Sequence, residues 1–275
     1  FNSLFNYLFI YGKLGFPTLG GAGAGLGTAL AYWAVLVVII LVMLKNKRIA
    51  SYQLWQWSPV QSSLLKAGLK LGLPIGLQVF AEVAIFAVVS LQMAKFSSQV
   101  IAAHQSAMNF ATLLYAFPVS VSMALPIVIS YEIGANRPQA ARQYAIIGRL
   151  TAILFAGLTL TFLYFNRQMV AGWYGQNPVF IRLTADFLVF ALFFQLADAF
   201  TAPIQGILRG YKDTTVPFLL GLISFWSLTF PIAFLLEGTT DLGPKAYWVG
   251  LIVGIFACGI TLNIRMHIVE KRTVQ

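Results

Sequence analysis

The chain has 275 residues, 59% of them hydrophobic and only 9% charged, and carries a formal net charge of +10. A soluble domain holds about 25% charged residues because most of its surface meets water, so this composition excludes a soluble enzyme and puts most of the surface in lipid. One cysteine, Cys258, excludes an internal disulfide and a cysteine-built metal site, and its apolar surroundings read as simple packing.

The chain opens at Phe1 inside an apolar stretch, with no charged leader or cleavage motif, as expected of a piece of something longer. Residues 1–11 read as the remaining half of a helix that ends in the turn-rich run 12–17. Residues 14–44 contain no Asp, Glu, Lys or Arg and exceed the roughly 20 apolar residues that a span needs. Residues 45–70, with Trp55, Trp57 and Pro59 between basic ends, are too polar to span and read as a cytoplasmic linker lying partly among lipid headgroups. Six more spans follow. Residues 71–94 carry only Glu82, 96–131 no charge, 145–165 only Arg149, 179–208 Arg182, Asp186 and Asp198, and 214–236 and 246–264 none. The expected fold is therefore an all-α, polytopic membrane bundle of eight crossings, one incomplete. Its parts are residues 1–44, a linker 45–70, a six-helix lobe 71–264 and a cytoplasmic tail 265–275.

Alternating the connections puts Lys45, Lys47, Arg48, Lys66, Lys70, Arg137, Arg142, Arg149, Arg209, Lys212, Arg265, Lys271 and Arg272 on one side. Only Lys13, Lys95, Arg167, Arg182 and Lys245 fall on the other, and this bias assigns the first side to the cytoplasm. The basic excess thus reports topology and calls for no nucleic acid.

The two ends of the chain share an order of features: apolar helix, short loop with Gly and Leu-Gly, second apolar helix, basic exit. At an offset of 223, Gly15 meets Gly238, Leu19 meets Leu242, Gly20 meets Gly243 and Arg48 meets Lys271. Tandem repeats in transporters preserve such an order, and a unit of this length implies about 174 further residues before Phe1 and two six-helix halves.

An ionisable side chain at membrane depth costs about 3 kcal/mol on insertion scales and persists mainly where it faces a polar interior. Glu82 has no basic neighbour on its span, and Gln78 and Phe86 flank it at i−4 and i+4. Asp198 lies in a similar stripe, with Gln195 three residues before and Gln205 seven after, and Pro203 frees the carbonyl of Ala199 beside it. A carboxylate stripped of water takes up a proton or small cation readily; the alternative is a protonated, hydrogen-bonded helix contact. Asp186, with Arg182 four residues earlier, is expected to form a local ion pair. Gln105, Asn109, Thr112 and Tyr115 make one polar ridge, which either bonds a neighbouring helix or lines a cavity. His104, about 100° around the helix, reads as a packing residue. Pro118 and Pro126 are expected to bend the same helix.

These residues sit in stretches similar to a known family. Leu73-Pro74 through Glu82, Ala102-Ala103-His104-Gln105, Gly134-Ala135-Asn136 and Ala140-Ala141-Arg142 resemble the carboxyl-terminal lobe of multidrug and toxic compound extrusion (MATE) transporters of the NorM branch. The run Gly206-Ile207-Leu208-Arg209-Gly210-Tyr211-Lys212-Asp213-Thr214 resembles the family's cytoplasmic turn after helix ten, and residues 1–49 resemble helices five and six. The resemblance implies twelve helices in two pseudosymmetric lobes and expulsion of cationic amphipathic molecules in exchange for Na⁺ or H⁺ by alternating access. It implies a cation site at Glu82 and Asp198, with Phe86 and Tyr115 as its aromatic neighbours, and Na⁺ held by the two carboxylates if sodium is the coupling ion. Gln105 matches a cavity-facing amide, and Gln78, Asn109, Gln195 and Gln205 are the other candidate cavity residues. No cofactor beyond the coupling ion is implied. The full-length protein is expected to be a monomer in a bacterial inner membrane, carboxyl terminus in the cytoplasm. The rivals are a lipid-linked oligosaccharide flippase of the same superfamily, which needs a strongly cationic cavity, and an intramembrane enzyme, whose paired-aspartate, Ser-His or metal motifs are not seen here.

Overall fold

The computed structural model describes residues 1–46 and 59–274. Among them are eight α-helices: α1 (Asn2–Tyr11), α2 (Gly20–Lys45), α3 (Ser62–Gln92), α4 (Ser98–Gly134), α5 (Pro138–Gly172), α6 (Pro178–Gly210), α7 (Thr215–Thr239) and α8 (Lys245–Val274). All but α1 are long and apolar enough to cross a membrane. Most of the expected linker, residues 47–58 with Trp55 and Trp57, lies outside the described residues. Its last part, residues 62–70, forms the first turns of α3. Likewise α5 starts at Pro138, where proline suits a first helical turn, and runs through Arg142 and Arg149. These helices run on past the charge-free stretches, so a basic residue does not mark the helix end.

The chain divides into two compact units, Phe1–Ser62 and Ser63–Gln275. In the first, α1 closes on Gly12, which adopts φ 62° and returns its amide to the Leu8 carbonyl. A methyl added to Gly27 would strike Asn6, so α1 and α2 meet backbone to backbone, as small residues allow in lipid. In the second unit, α7 and α8 pack in the same fashion: a methyl on Gly250 would strike the Thr229 carbonyl. Gly27 and Gly250, and Asn6 and Thr229, are each 223 residues apart. Gly20 and Gly243, also 223 apart, both have φ 52°. The offset legible in the sequence thus recurs as the same interhelical contact in two separate hairpins.

Within the second unit α6 is the axis, buried along most of its length and packed by α4, α5 and α8. Gly206 of α6 lies so close to α4 that a methyl there would meet the Ser122 carbonyl. Thr201 donates to the Ala197 carbonyl at 2.8 Å and to the Ile255 carbonyl of α8 at 3.2 Å. His104 is fully buried, as a packing residue should be: Trp248 Nε1 donates to its Nδ1 at 3.2 Å, and Phe187 and Trp248 meet its ring edge to face.

Ion pairs sit at the two ends of this unit. At one end Lys95 bonds Glu237 and Tyr247, and Lys245 bonds Asp186 at 2.7 Å. The last pair replaces the expected Arg182–Asp186 bridge: Lys245, at the start of α8, supplies the ammonium, while Arg182 is exposed. At the other end Arg137 pairs with Glu132 at 2.9 Å and Arg265 with Asp213 at 2.6 Å. There burial, with the Glu270 carboxylate nearby, pushes the Tyr211 hydroxyl up to about 12 against the opposing charge of Arg142.

Candidate functional site: an acidic cavity in the second unit

Helix α3 meets the bundle through long side chains. Phe86 reaches the edge of Phe194 with ring centroids 5.6 Å apart, and Ser90 lies 3.5 Å from His104. This leaves a cavity of about 370 Å³ walled by α3, α4 and α6, with Phe225 of α7 and Ile255 of α8 completing it.

Glu82 enters from α3 and Asp198 from α6, and both border the cavity. One oxygen of Glu82 accepts from Gln78 at 3.2 Å on its own helix and from Gln205 at 2.9 Å across on α6. Asp198 is 7% exposed and its Oδ2 has no hydrogen-bond partner among the described residues. Tyr115 and Thr112 border the same space from α4, and Phe86, Phe194, Met108 and Met123 supply apolar wall. Two carboxylates on different helices, a phenol and a hydroxyl are hard oxygen donors suited to a small cation, and the orphaned Asp198 oxygen still has a lone pair to offer. No group of three or more His, Cys, Asp or Glu side chains able to hold a metal is found among the described residues.

The structure brings together Glu82, Asp198, Phe86, Tyr115 and Gln205, and separates the remaining sequence candidates. Gln78 is buried behind Glu82 and orients it. Gln195 does not border the cavity: its amide donates to the Leu114 carbonyl of α4 at 3.0 Å and clamps two helices. Gln105 and Asn109 also do not border it. They lie on the exposed side of α4, roughly 9 to 15 Å along the axis from Tyr115 by the rise of the helix. Asn109 accepts from the Tyr174 hydroxyl at 2.9 Å. The ridge on α4 thus divides, its Thr112 and Tyr115 end at the cavity and its other end outside.

One charged residue of the cavity lining was missed. Arg209 borders the cavity, with its Nε buried and without a hydrogen-bond partner among the described residues. The signal existed, since Asp198, Gln205 and Arg209 stand at spacings of seven and four, on one face of α6. The sequence reading had used it only as one of the basic residues on the cytoplasmic side.

The chain is thus a polytopic helical membrane bundle with two carboxylates at one cavity. The MatE family model matches residues 74–235. The chain is 54% identical over 271 residues to the probable multidrug resistance protein NorM of Streptococcus pneumoniae R6, covering 98% of this chain and 60% of that protein. It is 44% identical over 280 residues to the probable multidrug resistance protein NorM of Bacillus subtilis, covering 100% and 61%. The outward-facing structure of a multidrug resistance MATE family transporter of the MOP superfamily matches with TM-score 0.85 at 19% identity, over 100% of this chain and 60% of that one. The chain belongs to the MatE family. It spans about 60% of the length of the curated relatives it matches.

Proposed function

We propose that the full-length protein is a secondary active multidrug efflux transporter of a bacterial inner membrane, exchanging cationic amphipathic molecules for Na⁺ or H⁺ by alternating access, with its carboxyl terminus in the cytoplasm. The observation that carries this reading is the meeting of Glu82 and Asp198, from two helices, at one largely apolar and aromatic cavity. A cation held between the two carboxylates draws α3 and α6 together and favours one arrangement of the protein. A drug that prefers the other arrangement is then driven by the ion gradient, since each ligand shifts the equilibrium only by its differential affinity for the two states. Apolar walls with few fixed polar groups suit a broad range of substrates. Proteins bearing the NorM name support the drug-export reading, and two acids against one arginine in the cavity speak against a pyrophosphate-binding flippase.

The test is ethidium efflux from liposomes holding the full-length protein, with Na⁺ and pH gradients imposed separately. Glu82→Gln and Asp198→Asn are each expected to abolish gradient-driven efflux at normal expression. Undiminished export by both variants overturns the assignment, and the gradient that drives the parent protein identifies the ion.

A further inference from the structure

Two carboxylates in a lipid-embedded cavity present a charge problem that a single cation does not solve. With both ionised, the pair carries two negative charges, and one bound monovalent ion would leave one of them uncompensated in a medium of low polarity. The cavity contains a third charged group, the guanidinium of Arg209. It lies one turn beyond Gln205, the residue that donates to Glu82 at 2.9 Å, on the helix that also carries Asp198. Lys95, Arg137, Lys245 and Arg265 each face a carboxylate within 2.9 Å. Arg209 has no such bridge among the described residues, and its buried Nε is unpartnered.

We infer that Arg209 sets the valence of the cation site, acting as a fixed internal charge that reduces the demand of Glu82 and Asp198 to a single monovalent ion. The inference rests on the reading of those two acids as the coupling-ion site. With Arg209 in place the empty cavity carries one net negative charge, one Na⁺ or proton closes the balance, and a divalent ion or a second monovalent one leaves an excess positive charge. Without it the cavity carries two, and a divalent ion becomes the matching ligand. Arg209 is thus a positioning residue that acts on the cation through the carboxylates.

The experiment measures radioactive calcium and sodium binding to the purified full-length protein in lipid nanodiscs. Arg209→Gln is expected to bind Ca²⁺ at least on the order of tenfold more tightly than the parent, and Arg209→Lys to match the parent. Arg209→Met, apolar and of similar length, gives the same readout if the glutamine variant does not fold. Adding Glu82→Gln to Arg209→Gln returns the cavity to one net negative charge and should remove the gained calcium binding. Calcium affinity in Arg209→Gln and Arg209→Met equal to that of the parent overturns the inference, as does calcium binding gained equally by Arg209→Lys. The underlying site reading fails separately: there, Glu82→Gln and Asp198→Asn would each leave gradient-driven efflux intact, whatever Arg209 does to calcium.

Discussion

At the turn between α3 and α4, Lys95 donates to Glu237 at 2.7 Å and to Tyr247 at 2.6 Å, while the Tyr247 hydroxyl donates to Glu237 at 2.7 Å. In the cavity of the same unit, Asp198 keeps an oxygen, and Arg209 a nitrogen, without a hydrogen-bond partner among the described residues. The first set is closed on itself and partly exposed, with Lys95 at 43% and Glu237 at 24% side-chain exposure, so each charge can exchange its partner for water. The second borders a largely apolar cavity, where the buried Asp198 oxygen and Arg209 nitrogen meet little water and an unpaired charge costs far more than at a surface. Matched, wet charges tie helix ends together. Unmatched, enclosed ones store a demand for a ligand, which suits a site that must bind and release.

Substitutions separate these two uses of charge. The largest effect is expected at Asp198: Asp198→Asn should eliminate efflux yet leave the thermal midpoint of the detergent-solubilised protein unchanged or raised, because it removes an enclosed charge. A large fall in the midpoint would make Asp198 a structural residue like those at the helix ends. Trp248→Ala should act in the opposite sense. It empties one of the largest fully buried side chains and strands His104 Nδ1, at a cost of about 3 to 5 kcal/mol read from the unfolding midpoint. Gly206→Ala comes next, since the new methyl meets the Ser122 backbone carbonyl of α4, with about 1 to 3 kcal/mol lost. Gly157→Ala, whose methyl meets open space, is the matched control and should cost nothing measurable in the same assay. Smallest is Lys95→Met, about 1 kcal/mol or less for a pair this exposed, with efflux rates retained. Efflux as impaired in Lys95→Met as in Asp198→Asn would erase the distinction between rim and cavity.

Much of the fold was legible because lipid punishes charge so evenly that charge-free runs of span length mark the helices directly. The positions of Glu82 and Asp198 were legible for the same reason, as exceptions that lipid does not tolerate without a purpose. The hairpin repeat was legible only as an order of features; the Gly27–Asn6 and Gly250–Thr229 contacts gave it physical content. Partner choice was not legible. Asp186 had a basic residue one turn away on its own helix, yet its ammonium comes from Lys245, 59 residues on. Gln195 and Gln205 share a stripe with Asp198, but one is taken by the α4 backbone and the other by Glu82. Arg209 was read only as a basic residue of the cytoplasmic side, and that it also borders the cavity was not legible.

Composition and hydropathy by themselves decided that this is a membrane bundle, where its spans lie, and which few side chains are out of place in lipid, because these depend only on each residue's transfer from water. Which of those side chains face one another was decided by tertiary structure. That choice depends on how far each helix is rotated about its axis when it packs, and the rotation is set by close contacts such as Gly206 against Ser122, between segments far apart in the chain.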